Sequence, residues 1–157
     1  MTASLAFVHH ANQYLITNGY DNRPGIDAVI GSHTERSGLR WILELHRRYN
    51  IAANLHVSGT LLEAIAWHRP EFVDEIRSLL DSGLIELVGS CYAQNVMRFS
   101  SYRHNLKQLN TELELFAFHL GVEPKTVRAF WSPERVWDTE AMAPALTASS
   151  KRFLTVR

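Results

Sequence analysis

The stretch IAANLHV, residues 51–57, decides the fold. It is a short, mostly apolar run that ends at Gly59 and Thr60, which predicts a β-strand. Alternate residues of a strand point to opposite faces, so Asn54 and His56 share one face while Leu55 and Val57 share the other. Strands of an open doubly wound sheet are covered on both faces and are apolar throughout. A polar inner face therefore favours a β/α barrel, with the doubly wound sheet as the alternative.

Strands and helices alternate on both sides of this stretch. The predicted strands are 4–10, 51–57, 84–90, 127–132 and 152–156. Helices are predicted over 34–50, with Thr34 as the cap, and over 60–68, 70–83, 101–120 and 138–146. Residues 18–25 (NGYDNRPG) are predicted as turns and 91–100 as a loop. Such alternation indicates an α/β fold with parallel strands and right-handed crossovers. About the first four or five βα units of such a fold would then form a single domain over residues 1–157.

The composition excludes several classes of protein. Of the 157 residues, 46% are hydrophobic and 20% are charged, which predicts a soluble globular chain. The formal net charge is zero, which argues against nucleic acid as a partner, and no apolar run is long enough for a membrane span. A single cysteine, Cys91, excludes an internal disulfide, suits a reducing cytoplasm and is interpreted as a buried filler.

Polar residues follow four of the predicted strands, where parallel α/β proteins place their sites. They are His9, His10, Asn12, Gln13 and Tyr14; His56 and Ser58; Ser90, Tyr92, Gln94 and Asn95; and Ser132, Glu134 and Arg135. Imidazole, amide and carboxylate groups beside tryptophans suit a sugar, whose hydroxyls need polar partners and whose ring stacks on aromatic faces.

Most of these residues also have a structural interpretation. Glu134, between Trp131 and Trp137, could instead cap the next helix or pair with Arg135. His9 and His10 could be packed histidines, and His56 could be a structural hydrogen-bonding residue. Trp41 and Trp67 are interpreted as core residues, Asp138 as a helix cap, and the remaining histidines as solvated: His33, His46, His68, His104 and His119.

Four segments resemble the N-terminal part of glycoside hydrolase family 57. They are LAFVHHANQYL (5–15), IAANLHVSGTLLEAIAW (51–67), LIELVGSCYAQNVM (84–97) and FWSPERVWDTEAMAPAL (130–146). The resemblance implies an incomplete (β/α)7 barrel, related to polysaccharide deacetylase barrels, and retaining hydrolysis or glucan transfer on α-glucans, with no cofactor or metal.

The most specific element, WSPERVW (131–137), resembles the nucleophile motif of the family and implies that Glu134 is the nucleophile. The first and second motifs imply substrate-binding positions at His10 and Gln94. The first motif departs from the family pattern, because His9-His10-Ala11 stands where His-X-His-Gln-Pro is usual, so His9 remains an alternative to His10. His56, Trp131, Arg135 and Trp137 complete the expected substrate-binding set, with Arg135 keeping Glu134 ionised and the tryptophans excluding water.

A retaining glycosidase needs a second carboxyl group about 5–5.5 Å from the nucleophile. In the family this acid/base is an aspartate on a later strand, and no residue of this chain matches it. The chain is therefore expected to be the N-terminal portion of a catalytic barrel and to be inactive alone. It would be a gene fragment, a truncated product or one subunit of a split enzyme. An open barrel edge predicts association with a second chain or with itself.

Two other functions stay open from the sequence. A metal-dependent deacetylase-like hydrolase would use His9, His10 and His56 as ligands. A non-catalytic carbohydrate-binding or partner module would use the same rim, with His10, Gln94, Trp131 and Glu134, to bind glucan without cleaving it.

Overall fold

The computed structural model describes residues 4–12, 22–149 and 154–155. Within these ranges five strands form one parallel sheet: β1 (Val8–Ala11), β2 (Ala53–Val57), β3 (Ile85–Gly89), β4 (Ala129–Phe130) and β5 (Leu154–Thr155). The strands lie side by side in the order in which they occur in the chain, and each adjacent pair is parallel. A doubly wound sheet reverses its strand order at a switch point, whereas a barrel winds in one direction. The order therefore confirms the predicted partial barrel.

Helices connect the strands. They are α1 (Arg23–Ile30), α2 (Gly38–Tyr49), α3 (Gly59–His68), α4 (Pro70–Asp81), α5 (Tyr102–Leu120) and α6 (Thr139–Ala148). Short 3₁₀ turns cover Met97–Phe99, Pro124–Thr126 and Pro133–Arg135. The predicted alternation of strands and helices is thus confirmed, including the division of α3 from α4 immediately before Pro70.

The first connection differs from the prediction. Residues 23–25, predicted as turn, begin α1, because proline in the first turn of a helix loses no hydrogen bond and its fixed φ suits the helix. The predicted start of the next helix at Thr34 was also wrong, since α2 begins at Gly38. Arg36 and Gly38 have φ values of 52° and 66°, a left-handed conformation that interrupts a helix there. Residues 13–21, which include Gln13, Tyr14 and part of the predicted turn, lie outside the described ranges.

The two faces of the sheet differ in what covers them. Leu55, Val57, Ile85 and Leu87 pack with the helices in the main core, as the alternation in NLHV predicts. On the other face His10 is paired in register with His56, and Val8 with Asn54. A second apolar cluster lies where α5 and α6 meet the ends of β3 and β4; it contains Cys91, Met97, Leu109, Phe130, Met142, Ala145 and Leu146. The inner face of the sheet is therefore the one that carries polar groups.

Burial corrects two predictions about single side chains. Trp67 was expected in the core, yet 83% of it is exposed on α3. His46 was expected to be solvated, yet it is buried. Its Nδ1 donates to the carbonyl oxygen of Ile51 at 2.7 Å, and its Nε2 lies 2.7 Å from Nε2 of His9. Cys91 is fully buried, as predicted.

Candidate functional site

Three aromatic rings meet at the carboxyl ends of β1, β2 and β4. The rings of His10 and His56 are stacked, with centroids 4.5 Å apart and an interplanar angle of 8°. The indole of Trp131 lies 5.2 Å from the ring of His10 and 6.4 Å from that of His56. Sheet register explains the cluster, because His10 pairs with His56 and the backbone N–H of Trp131 donates to the carbonyl of Gly89. His56 is fully buried beneath this cluster, whereas His10 is exposed.

Glu134 lies within a strained turn, Pro133–Arg135. Glu134 and Arg135 have φ values of 54° and 55°, which is the left-handed region that L-residues seldom occupy. The Ser132 hydroxyl donates to the carbonyl of Val136 at 2.5 Å and closes the turn. Such strain costs on the order of 1–3 kcal/mol per residue and is concentrated at functional sites. The turn leaves the Glu134 side chain exposed at the end of β4.

The structural interpretations of Glu134 find no partner for its carboxylate. Asp138, not Glu134, caps α6, because its Oδ1 accepts the N–H of Ala141 at 3.1 Å. Within the described part of the chain, Glu134 forms no ion pair with Arg135. The predicted cap at Asp138 is therefore confirmed, and Glu134 remains available to a ligand.

The histidines of the cluster are kept neutral. Burial lowers the pKa of His56 to about 3, and the adjacent His10 acts in the same direction. Burial also lowers the pKa of His10, while the nearby carboxylate of Glu134 acts to raise it. Neutral imidazoles offer one donor and one acceptor each, which suits hydroxyl groups better than anions.

Gln94 joins the cluster from the loop after β3. Its backbone is also left-handed, with φ 55°. Its Nε2 donates to the carbonyl of Cys91 at 2.8 Å and lies 3.2 Å from Nε2 of His56. An amide N–H only donates, so Nε2 of His56 accepts and its hydrogen is on Nδ1. Both amide hydrogens of Gln94 are engaged, and Nδ1 of His56 has no partner among the described residues.

Two further residues support the site: Ser90, which the sequence placed on the predicted rim, and Glu112, which it did not single out. The Ser90 hydroxyl donates to the carbonyl of Trp131 at 2.8 Å and lies 3.4 Å from Oε1 of Gln94. The Ser90 N–H donates to Oε2 of Glu112 on α5. A sequence signal for Glu112 did exist. It lies with Leu109, Leu113 and Phe116 on the apolar stripe of α5, where an ionisable residue is unusual.

Other residues predicted for the rim lie apart from the cluster. His9 points to the opposite face of β1 and contacts His46. Trp137 is 43% exposed, and its indole N–H donates to Thr139 at 2.9 Å. Arg135 is exposed. Tyr92 donates to Glu63 at 2.6 Å, and Asn95 donates to Ser100 in its own loop and to Asn105 on α5.

The amino ends of the strands carry a separate groove of about 1520 Å³. The α4–β3 and α5–β4 connections line it, with Glu86 and Lys125 among its residues. In β/α barrels that end serves stability rather than chemistry. Across residues 4–12, 22–149 and 154–155, no three histidine, cysteine or acidic side chains come together as metal ligands, so no observation favours the deacetylase alternative. The helices described there are also too short or too polar to cross a bilayer.

Comparison with known proteins identifies similar chains. The family model for glycosyl hydrolase family 57 matches residues 9–149. A 4-alpha-glucanotransferase of Thermococcus kodakarensis is 34% identical over 128 residues, which are 82% of this chain and 19% of that protein. An alpha-amylase of Pyrococcus horikoshii is 26% identical over 132 residues, 74% of this chain and 20% of that protein. The chain thus spans about a fifth of the length of the curated relatives it matches.

Solved structures support the fold independently. The crystal structure of 4-alpha-glucanotransferase from Thermococcus litoralis superimposes with a TM-score of 0.76 at 24% identity, over 93% of this chain and 21% of that one. A family 4 carbohydrate esterase from Streptomyces lividans superimposes with a TM-score of 0.64 at 12% identity, over 97% of this chain and 61% of that one. At these identities the likeness concerns the fold alone.

Proposed function

Because the chain belongs to glycosyl hydrolase family 57, we propose that it supplies the nucleophile side of an active site for α-glucans. The observation that carries the proposal is the carboxylate of Glu134. It is exposed on a left-handed turn at the carboxyl end of β4, and it acts on the pKa of His10 beside the indole of Trp131. A carboxylate on a strained turn, with no ion pair among the described residues and beside a stacked aromatic cluster, is suited to a sugar ring and to attack on it.

The proposed chemistry is a retaining displacement. A Glu134 oxygen attacks the anomeric carbon, the bond to the leaving-group oxygen breaks, and a glycosyl ester on Glu134 results. Water then hydrolyses that ester, or a sugar hydroxyl accepts the glycosyl unit, and either route restores the carboxylate. The proton that the leaving group needs comes from an acid outside the residues matched here. Transfer to a sugar hydroxyl is the outcome in the name of the similar 4-alpha-glucanotransferase, and hydrolysis is the outcome that corresponds to the name of the similar alpha-amylase.

The proposed binding roles follow the contacts of each residue. His10 is assigned the hydroxyl contact, since it is exposed at the cluster, whereas His9 faces α2 and is assigned a packing role. Trp131 provides the stacking surface. His56 and Gln94 support that surface from below, because both amide hydrogens of Gln94 are already used. Arg135 and Trp137, both exposed, would contact the sugar at the outer edge.

The test uses an activated glucosyl donor. A 5-fluoro-α-glucosyl fluoride carries a leaving group that needs little acid assistance, so it reports on the nucleophile without the second carboxyl group. We expect intact-mass spectrometry to show one glucosyl adduct, and peptide mapping to locate it on Glu134. Glu134→Gln should lose the adduct. Glu140→Gln, which changes an exposed acid further along the chain, is the matched control and should keep it.

The outcomes separate the proposed enzyme from a binding module. Maltopentaose binding without any adduct on Glu134 would favour a non-catalytic glucan-binding module. An adduct that persists in Glu134→Gln would refute the assignment of the nucleophile. The 157-residue polypeptide should turn over maltooligosaccharides little by itself, and ordinary enzymatic rates would contradict the proposed origin of the acid.

The single cysteine is buried, which is consistent with a reducing cytoplasm, and that location stays a prediction.

A further inference from the structure

Glu112 on α5 is a buried carboxyl group that the proposed chemistry does not use. Its side chain is fully buried. Oε2 accepts the N–H of Ser90, and Oε1 is buried with no hydrogen-bond partner among the described residues. Burial raises the pKa of Glu112 to about 8, against which the bond from Ser90 acts. A carboxyl group in an apolar interior with no ion pair is costly, and such groups occur preferentially at functional sites.

Ser90 connects Glu112 to the aromatic cluster in two directions. Its hydroxyl donates to the carbonyl of Trp131 at 2.8 Å, three residues before Glu134 in the chain. The same hydroxyl lies 3.4 Å from Oε1 of Gln94, whose Nε2 lies 3.2 Å from His56. Displacement of the Ser90 backbone would therefore move both the stacking surface and the amide that supports it.

We propose that Glu112 is a positioning residue: its carboxyl group fixes Ser90, and through Ser90 it holds Trp131 and Gln94 in the arrangement that binds a sugar. This inference rests on the proposed function, since the ligand is the same α-glucan. Glu112 itself is fully buried and acts through Ser90. Its protonation state sets how firmly that face is held.

Few ionisable groups act on Glu112 from the elements around it. One is the thiol of Cys91, which is buried and whose pKa is raised by burial and by the carboxylate of Glu112. The charged residues of the other elements against α5 are engaged elsewhere or exposed. They include Glu63 with Tyr92, Arg77 with Asp74 and the His119 carbonyl, Glu71 and Glu75 with Arg40, Lys125 with Glu123, and Asp81, Glu86 and Glu140 in solvent. Within the described part of the chain, Glu112 has no cation as an ion-pair partner to balance the negative charge that its ionisation creates.

Ionisation should loosen the cluster. A neutral carboxyl group is tolerated among the apolar side chains of α5, whereas a carboxylate there attracts water or displaces its neighbours. The bond from the Ser90 N–H favours the ionised form, so Ser90 stays bound to the carboxylate and moves with it. We expect maltopentaose affinity to fall about fivefold between about pH 6.5 and about pH 9.5, the factor that corresponds to one ordinary hydrogen bond.

The experiment compares the full 157-residue wild-type chain with Glu112→Gln, which is isosteric with the protonated acid. Glu114→Gln changes an exposed glutamate two positions along the same helix and is the matched control. Two-dimensional ¹H–¹⁵N NMR follows the Ser90 backbone amide and the Gln94 side-chain amide across the pH range, and calorimetry measures maltopentaose affinity. In wild type and Glu114→Gln, both resonances should titrate near pH 8 and maltopentaose affinity should fall over the same range. In Glu112→Gln, the resonances should not titrate and the affinity should not fall.

The two readouts keep the two hypotheses distinguishable. If maltopentaose does not bind the wild type at any pH, the proposed function fails, while the resonances still decide the role of Glu112. Resonances of Ser90 and Gln94 that do not move with pH in the wild type would overturn the positioning role. So would a Glu112→Gln chain whose affinity keeps the pH dependence of the wild type. If Glu112→Gln does not fold, the titration of the wild-type resonances decides the role of Glu112.

Discussion

His56 shows how a single buried residue prepares a site without touching its surface. The ring is fully buried under His10, and Nε2 faces the amide of Gln94. Burial lowers its pKa to about 3, so the ring is uncharged at neutral pH. A neutral ring in a fixed orientation gives Gln94 a constant acceptor, which a titrating histidine would not.

This arrangement predicts the tautomer of His56. Because the Gln94 amide donates to Nε2, the hydrogen of His56 is expected on Nδ1 throughout the range from about pH 4 to about pH 9, above its pKa of about 3. Imidazole ¹⁵N chemical shifts measure this directly. Gln94→Glu would serve as the comparison, since a carboxylate accepts and should move the hydrogen to Nε2. Titration of His56 near its ordinary pKa, or an Nε2–H tautomer in the wild type, would contradict the assignment.

At the scale of an element, the turn that carries Glu134 lies between two supports. Before it, the Trp131 N–H and carbonyl are bound by Gly89 and Ser90. After it, Asp138 caps α6 and also lies 3.5 Å from the guanidinium of Arg98. The left-handed residues are thus held from β3 on one side and from α6 on the other. The strained conformation persists because its surroundings determine it.

The cap at Asp138 provides the prediction at this scale. Asp138→Ala should lower the free energy of unfolding by about 1 kcal/mol, because the N–H of Ala141 loses its acceptor. Asp138→Asn keeps a capping oxygen and should recover most of the loss. Urea denaturation of the three chains measures the difference. Equal stability of the alanine and asparagine variants would mean that the cap contributes nothing and that the turn depends on other contacts.

The whole molecule combines two buried groups with opposite pH dependence. His56 has a pKa lowered from 6.5 to about 3 on folding, so its contribution to stability is complete above pH 6.5 and is lost as the pH falls through about 3. Glu112 has a pKa raised from 4.5 to about 8, so its contribution is complete below pH 4.5 and is lost as the pH rises through about 8. Between pH 4.5 and 6.5 the two slopes oppose each other.

The free energy of unfolding should therefore be greatest between about pH 4.5 and 6.5. Each group acting alone contributes a slope on the order of 1.4 kcal/mol per pH unit. Denaturant unfolding across the pH range measures the curve. Glu112→Gln should flatten the alkaline side and His56→Gln the acidic side, where His9 and His10, whose pKa values are also lowered by burial, leave a residual slope. Stability of the wild type that increases steadily from about pH 5 to about pH 8 would contradict this account.

The open inner face of the sheet leads to a prediction about association. Val8 on β1 is 46% exposed, and Glu86 on β3 is exposed on the same face. A parallel sheet is normally covered on both faces, so we predict that the 157-residue polypeptide self-associates or unfolds at low denaturant. Light scattering after size exclusion, over a range of concentrations, measures this. Val8→Lys should weaken the association, and a stable monomer with one cooperative transition would contradict the prediction.

The element plan and the family could be predicted from the residues alone. Period-2 alternation in NLHV, proline at the start of α4, the cap at Asp138 and the WSPERVW motif are local signals. The structure confirms the first three, and the family match confirms the family that the motif indicated. Local signals succeed because helix caps, turns and strand faces depend on neighbours within a few residues. The prediction missed α1, since its glycine and proline are typical of turns as well as of helix starts, and it placed the start of α2 too early.

The chain alone determined that parallel strands would bring polar groups to one rim, since that follows from alternation and chain direction. Only the tertiary structure decided which of those groups meet. His9 contacts His46 on the other face of β1, and Trp67 is exposed to solvent. Both amide hydrogens of Gln94 are bound within the protein, and Glu112 is buried and binds the Ser90 N–H. The reason is physical: burial and hydrogen-bond satisfaction depend on residues tens of positions apart, and no short stretch of sequence carries that information.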